Sequence, residues 1–264
     1  MSKQRSRSIA IGVVLFCVAC AGAVVAFMVI AFDQGQKDYD RLTDLAFDAP
    51  LEADPSLGEL QLSQLPAVNW AALLAENPDA VGWIYVPGTK INYPVAHSHD
   101  NDEYLYRNFS GEYANGLQPA YGTPFLMAQS AADFSDAVNI IQAHNMSNGT
   151  MFADIPKTML ADQEAYDAHR VAYLLTPTCN YLLLSIAGFS CGPQDSIVRL
   201  DVNTQAQVNA YVRELAAKSE FKAHGPMPTL VDVQKVVLLS TCTSDGSGLR
   251  RIVAYAVVAW EPVE

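Results

Sequence analysis

Three residue types that together can carry acyl transfer stand at the ends of apolar runs far apart in the chain. Cys242 closes Val236-Val237-Leu238-Leu239-Ser240-Thr241, and His144 follows Val138-Asn139-Ile140-Ile141-Gln142-Ala143. Arg250 and Arg251 open a third run, Ile252-Val253-Ala254. A thiolate attacks a carbonyl carbon, an imidazole moves protons, and a guanidinium holds the developing oxyanion. A free thiol ionises near pH 8.5, roughly, so a neighbouring cation is needed and a bell-shaped rate profile is expected. Successive strand residues face opposite sides, so one of the two arginines can point at Cys242 and the other cannot. Each residue also has a plainer reading: a buried thiol, or a charge blunting an edge strand. His97, His99, His169 and His224 sit in polar surroundings that suit solvated histidines, whereas His144 abuts a buried run.

Short apolar runs separated by turn residues must hold these groups. Strands are predicted at Val81–Val86, Ile91–Val95, Thr123–Leu126, Val138–Gln142, Ala172–Thr176, Tyr181–Phe189, Ile197–Leu200, Val236–Thr241 and Ile252–Trp260. Such a series reads as a β-barrel or sandwich. Helices are predicted at Tyr39–Phe47, Asn69–Glu76, Ala161–His169 and Thr204–Lys218. In the last, Thr204 and Gln207 can form a capping box ahead of an apolar face of Val208, Tyr211, Val212 and Leu215.

Residues 9–32 carry no charge, and as a helix those 24 residues would extend about 36 Å against a hydrocarbon core of roughly 30 Å. Lys3, Arg5 and Arg7 precede the run while Asp33, Asp38 and Asp40 follow it, which puts the N-terminus in the cytoplasm and the remainder outside. A cleaved signal peptide is the competing reading; a retained anchor is favoured because the run outlasts an ordinary signal core. The expected organisation is a cytoplasmic tail at 1–8, an anchor at 9–32, a stalk with a helical extension at 33–68 and a catalytic domain at 69–264. Beyond the anchor 13 Lys and Arg face 28 Asp and Glu, a net charge of −15 that argues against nucleic acid as a partner. Cys179, Cys191 and Cys242 lie outside the apolar run, so at least one thiol stays free whether or not Cys179 and Cys191 pair. No metal-ligand spacing is present there, and neither metal nor cofactor is expected.

Leu238-Leu239-Ser240-Thr241-Cys242 resembles the Thr-Leu-x-Thr-Cys signature of the sortases, and Arg250, one residue before Arg251-Ile252-Val253, matches that family's third catalytic residue. Ala143-His144-Asn145-Met146 with Met151-Phe152 is similar to the histidine segment of class B sortases. Asn77-Pro78-Asp79-Ala80-Val81-Gly82-Trp83, Tyr93-Pro94-Val95 and Asn101-Asp102-Glu103-Tyr104-Leu105 resemble its N-terminal barrel region. Leu238 stands in place of Thr, Ala143 in place of Gly, and Met127 where an Asp is usual; the loop at 112–121 reads as longer than usual.

The resemblance implies an eight-stranded β-barrel with N-terminal helices and a helical insert between strands six and seven, where Thr204–Lys218 falls. It implies a membrane-anchored cysteine transpeptidase of a Gram-positive type envelope, with Cys242, His144 and Arg250 catalytic and no cofactor. Partners would be secreted proteins bearing a C-terminal sorting signal, and an acceptor amine from a peptidoglycan precursor or a pilin. Thr241 and Ser240 are expected to line the peptide groove. Two alternatives are an L,D-transpeptidase-like cell-wall enzyme, for which the histidine beside the cysteine is missing, and an inactive anchored binding module.

Overall fold

The computed structural model describes residues 2–51, 62–113, 121–192, 195, 199, 202–225, 233–243 and 245–263. Helix α1 (Ser2–Ala46) leads to a short turn at Leu62–Gln64, then α2 (Trp70–Glu76), β1 (Ala80–Tyr85), β2 (Asn92–His97), α3 (Glu103–Tyr106), β3 (Phe125–Leu126) and β4 (Val138–Gln142). A π-helical turn (Ile155–Met159) and α4 (Gln163–Ala168) precede β5 (Val171–Leu175) and β6 (Cys179–Cys191). Helix α5 (Gln205–Lys218) separates β6 from β7 (Val236–Cys242), and β8 (Arg250–Pro262) ends the fold.

The strands close into a barrel in the order β1-β2-β3-β4-β7-β8-β6-β5. Pairing is parallel between β2 and β3 and between β4 and β7, and antiparallel elsewhere. The eight-stranded barrel and the helix between strands six and seven are as the family resemblance implies. The expected strand at Ile197–Leu200 falls almost wholly outside the described residues, as does most of the loop at 112–121.

Alternation along β7 and β8 sorts their side chains into two cores. Val237, Leu239, Val253 and Tyr255 point into the barrel with Trp83, Tyr173 and Phe152. Val236, Leu238, Ile252, Ala254 and Ala256 point outward, under Val208, Tyr211, Val212 and Leu215 of α5. By the same alternation Cys242 and Arg250 belong to the outward face, just past the part that α5 covers. A reciprocal capping box starts α5: the Thr204 hydroxyl accepts from the Gln207 amide at 3.3 Å, and the Gln207 side chain accepts from the Thr204 amide at 3.0 Å. Thr204→Ala should therefore cost about 1 kcal/mol. In a thermal melt that is a Tm lower by about 2–4 °C, with activity at room temperature retained.

The sequence reads as a spacer from Asp33 with a short helix at Tyr39–Phe47, but that helix is the C-terminal end of α1 and packs on the barrel. Tyr39, Leu42, Ala46, Phe47 and Leu51 are all buried in the main core. Phe47 meets Trp83 edge to face at 5.0 Å. Among the described residues no helix is long and apolar enough to cross a membrane. The side chains described in the apolar part of α1 are those of residues 11–27, 29 and 30, and they are exposed. Cys179 and Cys191 are both free. They occupy opposite ends of β6, about 40 Å apart at strand rise, so one strand keeps them from pairing.

Candidate active site

Cys242 ends β7 as an exposed residue, with β8 on one flank and the segment after β4 on the other. Arg250 is its direct register partner on β8, and Arg250 is in turn the partner of Cys191 on β6. Partners in register share a face, so Cys242, Arg250 and Cys191 lie on one side of the sheet and Thr241, Arg251 and Ser190 on the other.

The two arginines have different employments. Arg251 bonds Glu220 at 2.7 and 3.0 Å, the Ser190 hydroxyl, and the Leu160 carbonyl at 3.2 Å. Arg250 is half-buried and its guanidinium makes no hydrogen bond or ion pair among the described residues, which leaves its donors open to an incoming oxygen. Burial raises the Cys191 thiol above its ordinary range, an effect that the nearby Arg250 guanidinium partly offsets.

The connection from Cys242 to Arg250 is held by its own polar groups. The Thr243 amide donates to the Leu249 carbonyl at 2.9 Å, and the Thr243 and Ser247 hydroxyls donate to Asp245 at 2.7 and 2.6 Å. The Ser247 hydroxyl, the Thr243 hydroxyl and the Ser247 amide together pull the Asp245 carboxyl down to about 2, so it stays ionised and keeps accepting.

His144 lies two residues past the last pair of the parallel β4–β7 ladder, Gln142 with Ser240. Three bonds carry the alignment onward: the Ala143 amide to the Ser240 carbonyl at 3.2 Å, the Thr241 hydroxyl to the Ala143 carbonyl at 2.8 Å, and Asn145 Nδ2 to the Cys242 carbonyl at 3.0 Å. The segments bearing His144, Cys242 and Arg250 are thus consecutive around the barrel, at an inter-strand spacing of about 4.8 Å. His144 Nε2 is 2.7 Å from the carbonyl oxygen of Leu105. A carbonyl only accepts, so Nε2 carries the hydrogen and Nδ1 is the nitrogen left to gain or lose a proton.

Thr241 is buried with its hydroxyl committed to Ala143, and Ser240 is buried with no hydrogen-bond partner for its hydroxyl among the described residues. Ser240 shares the face of Cys242 and Thr241 does not. Leu105 and Asn145 are site residues that sequence reading does not single out. A backbone acceptor leaves no mark on residue type, although Asn145 stands in the His-Asn-Met segment and Leu105 ends the Asn-Asp-Glu-Tyr-Leu segment. No group of metal-ligating side chains occurs among the described residues.

No protein-family profile matches the chain. Two curated proteins do: sortase B of Listeria monocytogenes is 27% identical over 169 residues, and sortase B of Staphylococcus aureus is 26% identical over 183. The first alignment spans 64% of this chain and 65% of the Listeria protein; the second spans 69% and 71%. Among solved structures, Clostridium perfringens sortase B superposes with a TM-score of 0.64 at 26% identity, over 72% of this chain and 100% of that one.

Proposed function

We propose, from its likeness to class B sortases, that the chain is a member of that family and a cysteine transpeptidase acting on the sorting signal of secreted proteins. In the proposed cycle the Cys242 thiolate adds to a peptide carbonyl carbon, and Arg250 donates hydrogen bonds to the oxyanion. The C–N bond then breaks as His144 Nδ1 protonates the departing amine, leaving a thioester. An acceptor amine attacks that thioester, gives its proton to His144 and releases the thiolate. The Nε2 bond to Leu105 persists in both protonation states, so the ring keeps its orientation while Nδ1 cycles.

The observation that carries this reading is the β7–β8 register. It pairs Cys242 with the one of the two adjacent arginines that has no other employment among the described residues. Arg251 supports the wall instead. Ser240, on the same face as Cys242, is assigned to the floor of the peptide groove; Thr241 is assigned to fixing the histidine segment from behind. The acceptor is an amine of a peptidoglycan precursor or a pilin.

The proposal includes a single-pass anchor at 9–32, a cytoplasmic tail at 1–8, and the region from 33 onward outside the cell. Its support is the uncharged run flanked by Lys3, Arg5 and Arg7 on one side and acidic residues on the other. Ile11, Val14, Leu15 and Phe16 are at least 60% exposed, apolar surface that water does not favour and lipid does.

The test is incubation of the full chain in detergent with a library of sorting peptides and an amine such as triglycine, followed by mass spectrometry. A thioester adduct on the Cys242 peptide, discharged by the amine, is the expected result. Cleavage without an adduct, or an adduct on another residue, overturns the mechanism.

A further inference from the structure

Tyr39 of α1 touches the supports of both segments that carry the reacting groups. Its hydroxyl donates to the Gly122 carbonyl and lies 3.3 Å from the Thr123 hydroxyl. Residues 122 and 123 are docked on α3: the Thr123 amide donates to the Tyr104 carbonyl at 2.8 Å, and the Thr123 hydroxyl to the Arg107 carbonyl at 3.0 Å. Gly122 adopts φ +60, and a Cβ there would meet the Tyr104 and Leu105 carbonyl oxygens at 2.6 and 2.8 Å. There is no slack between Gly122 and Leu105, whose carbonyl orients His144.

A second chain of contacts leaves from the ring of the same residue. Tyr39 packs edge to face on Tyr93, with centroids 5.2 Å apart. The Tyr93 hydroxyl accepts from the Met151 amide at 3.1 Å, and Met151 is bridged to Asn145, which holds the Cys242 carbonyl. The Phe152 amide closes the loop by donating to the His144 carbonyl at 2.9 Å. Four residues earlier on α1, Gly35 lets the Tyr121 ring lie against the helix, where a Cβ would come within 2.3 Å of it. Tyr121 in turn accepts from Asn148 in the same loop at 3.3 Å. Burial pushes the Tyr39 phenol up, so it remains a neutral donor at any working pH.

We propose that Tyr39 is a positioning residue for acyl transfer, its hydroxyl fixing the histidine through Gly122 and Leu105 and its ring fixing the cysteine loop through Tyr93. The helix that leads in from the N-terminus is then a working part of the site as well as a tether. The inference rests on the cysteine transpeptidase reading for its effect on rate, though the brace itself can be measured without any sorting peptide.

The test compares Tyr39→Phe, which keeps the ring and removes the hydroxyl, with Leu42→Ala, which loosens the same helix one turn on but removes none of the hydrogen bonds of the brace. Full-length variants in detergent are assayed for kcat and KM, for iodoacetamide alkylation of Cys242 by peptide mapping, and for the His144 ring resonance in histidine-labelled protein. Tyr39→Phe should lower kcat about 5–20-fold with KM within about twofold, and displace the His144 resonance. Leu42→Ala should lower Tm at least as much and do neither. An unmoved resonance with kcat intact in Tyr39→Phe overturns the proposal, as does an equal loss of kcat in Leu42→Ala. Should no peptide form an acyl-enzyme with the unaltered chain, the transpeptidase reading fails. The His144 resonance still decides whether the brace exists.

Discussion

Cys242→Ala should abolish thioester formation and reduce cleavage of a sorting peptide by at least about 10⁴-fold, because among the described residues no other exposed thiol lies in the site to take the acyl chain. Ser240, two residues back on the same face, is buried. Cys191 shares the face of Cys242 but is 4% exposed, and burial pushes its thiol up, toward the unreactive form. The same substitution should leave stability within about 0.5 kcal/mol of the parent, since an exposed side chain at a strand end fills no cavity. Loss of activity with an unchanged melt separates a nucleophile from a packing thiol. A maleimide or peptide-derived electrophile should label the Cys242 peptide and spare the Cys191 peptide in the folded chain. Labelling of Cys191 at a comparable rate would place the reactive sulfur one sheet position further along.

The strands were legible because a barrel strand is an apolar run between turn residues, and β4 and β7 fall on the runs that end near His144 and Cys242. Helix α5 was legible from the spacing of Val208, Tyr211, Val212 and Leu215 and from its Thr204 cap. Other elements carry no such periodicity. Helix α3 is a single turn of Glu-Tyr-Leu-Tyr, and the π-helical turn at Ile155–Met159 contains a proline that reads as a breaker.

The candidate reacting side chains could be picked out by type, whereas the groups that hold them could not. The bond from His144 goes to a backbone carbonyl 39 positions away, and that from Asn145 goes to one 97 positions away. Tyr39 lies in a stretch whose acidic flanks read as a spacer; its burial against Tyr93 depends on the barrel having closed. The cysteine pairing left open by spacing is settled by one long strand, because residues at its two ends cannot meet.

The two adjacent arginines should fail in different ways, and the contrast tests the site more sharply than either variant alone. Arg250→Ala should lower kcat by about 10²–10³-fold, the usual cost of removing an oxyanion donor, with little change in Tm. Arg250→Lys should recover little, because a point charge lacks the planar fork that reaches an oxygen beside Cys242. Arg251→Ala should do the reverse. It strips partners from Glu220, Ser190 and the Leu160 carbonyl, and with Glu220 partly exposed and screened the cost is about 1–2 kcal/mol. That loss should be pH-dependent. Although partial burial raises the Glu220 carboxyl, Arg251 and Ser190 outweigh it and hold the group below its ordinary range in the folded chain. A carboxyl depressed on folding contributes stability above its unfolded pKa and loses it as pH falls through the folded one. The gap in Tm between the parent and Arg251→Ala should therefore be widest near neutrality and close below about pH 4. Activity retained by Arg250→Ala but lost by Arg251→Ala, at a temperature where both are folded, would assign the oxyanion to the other face of β8 and invalidate the register on which the mechanism rests.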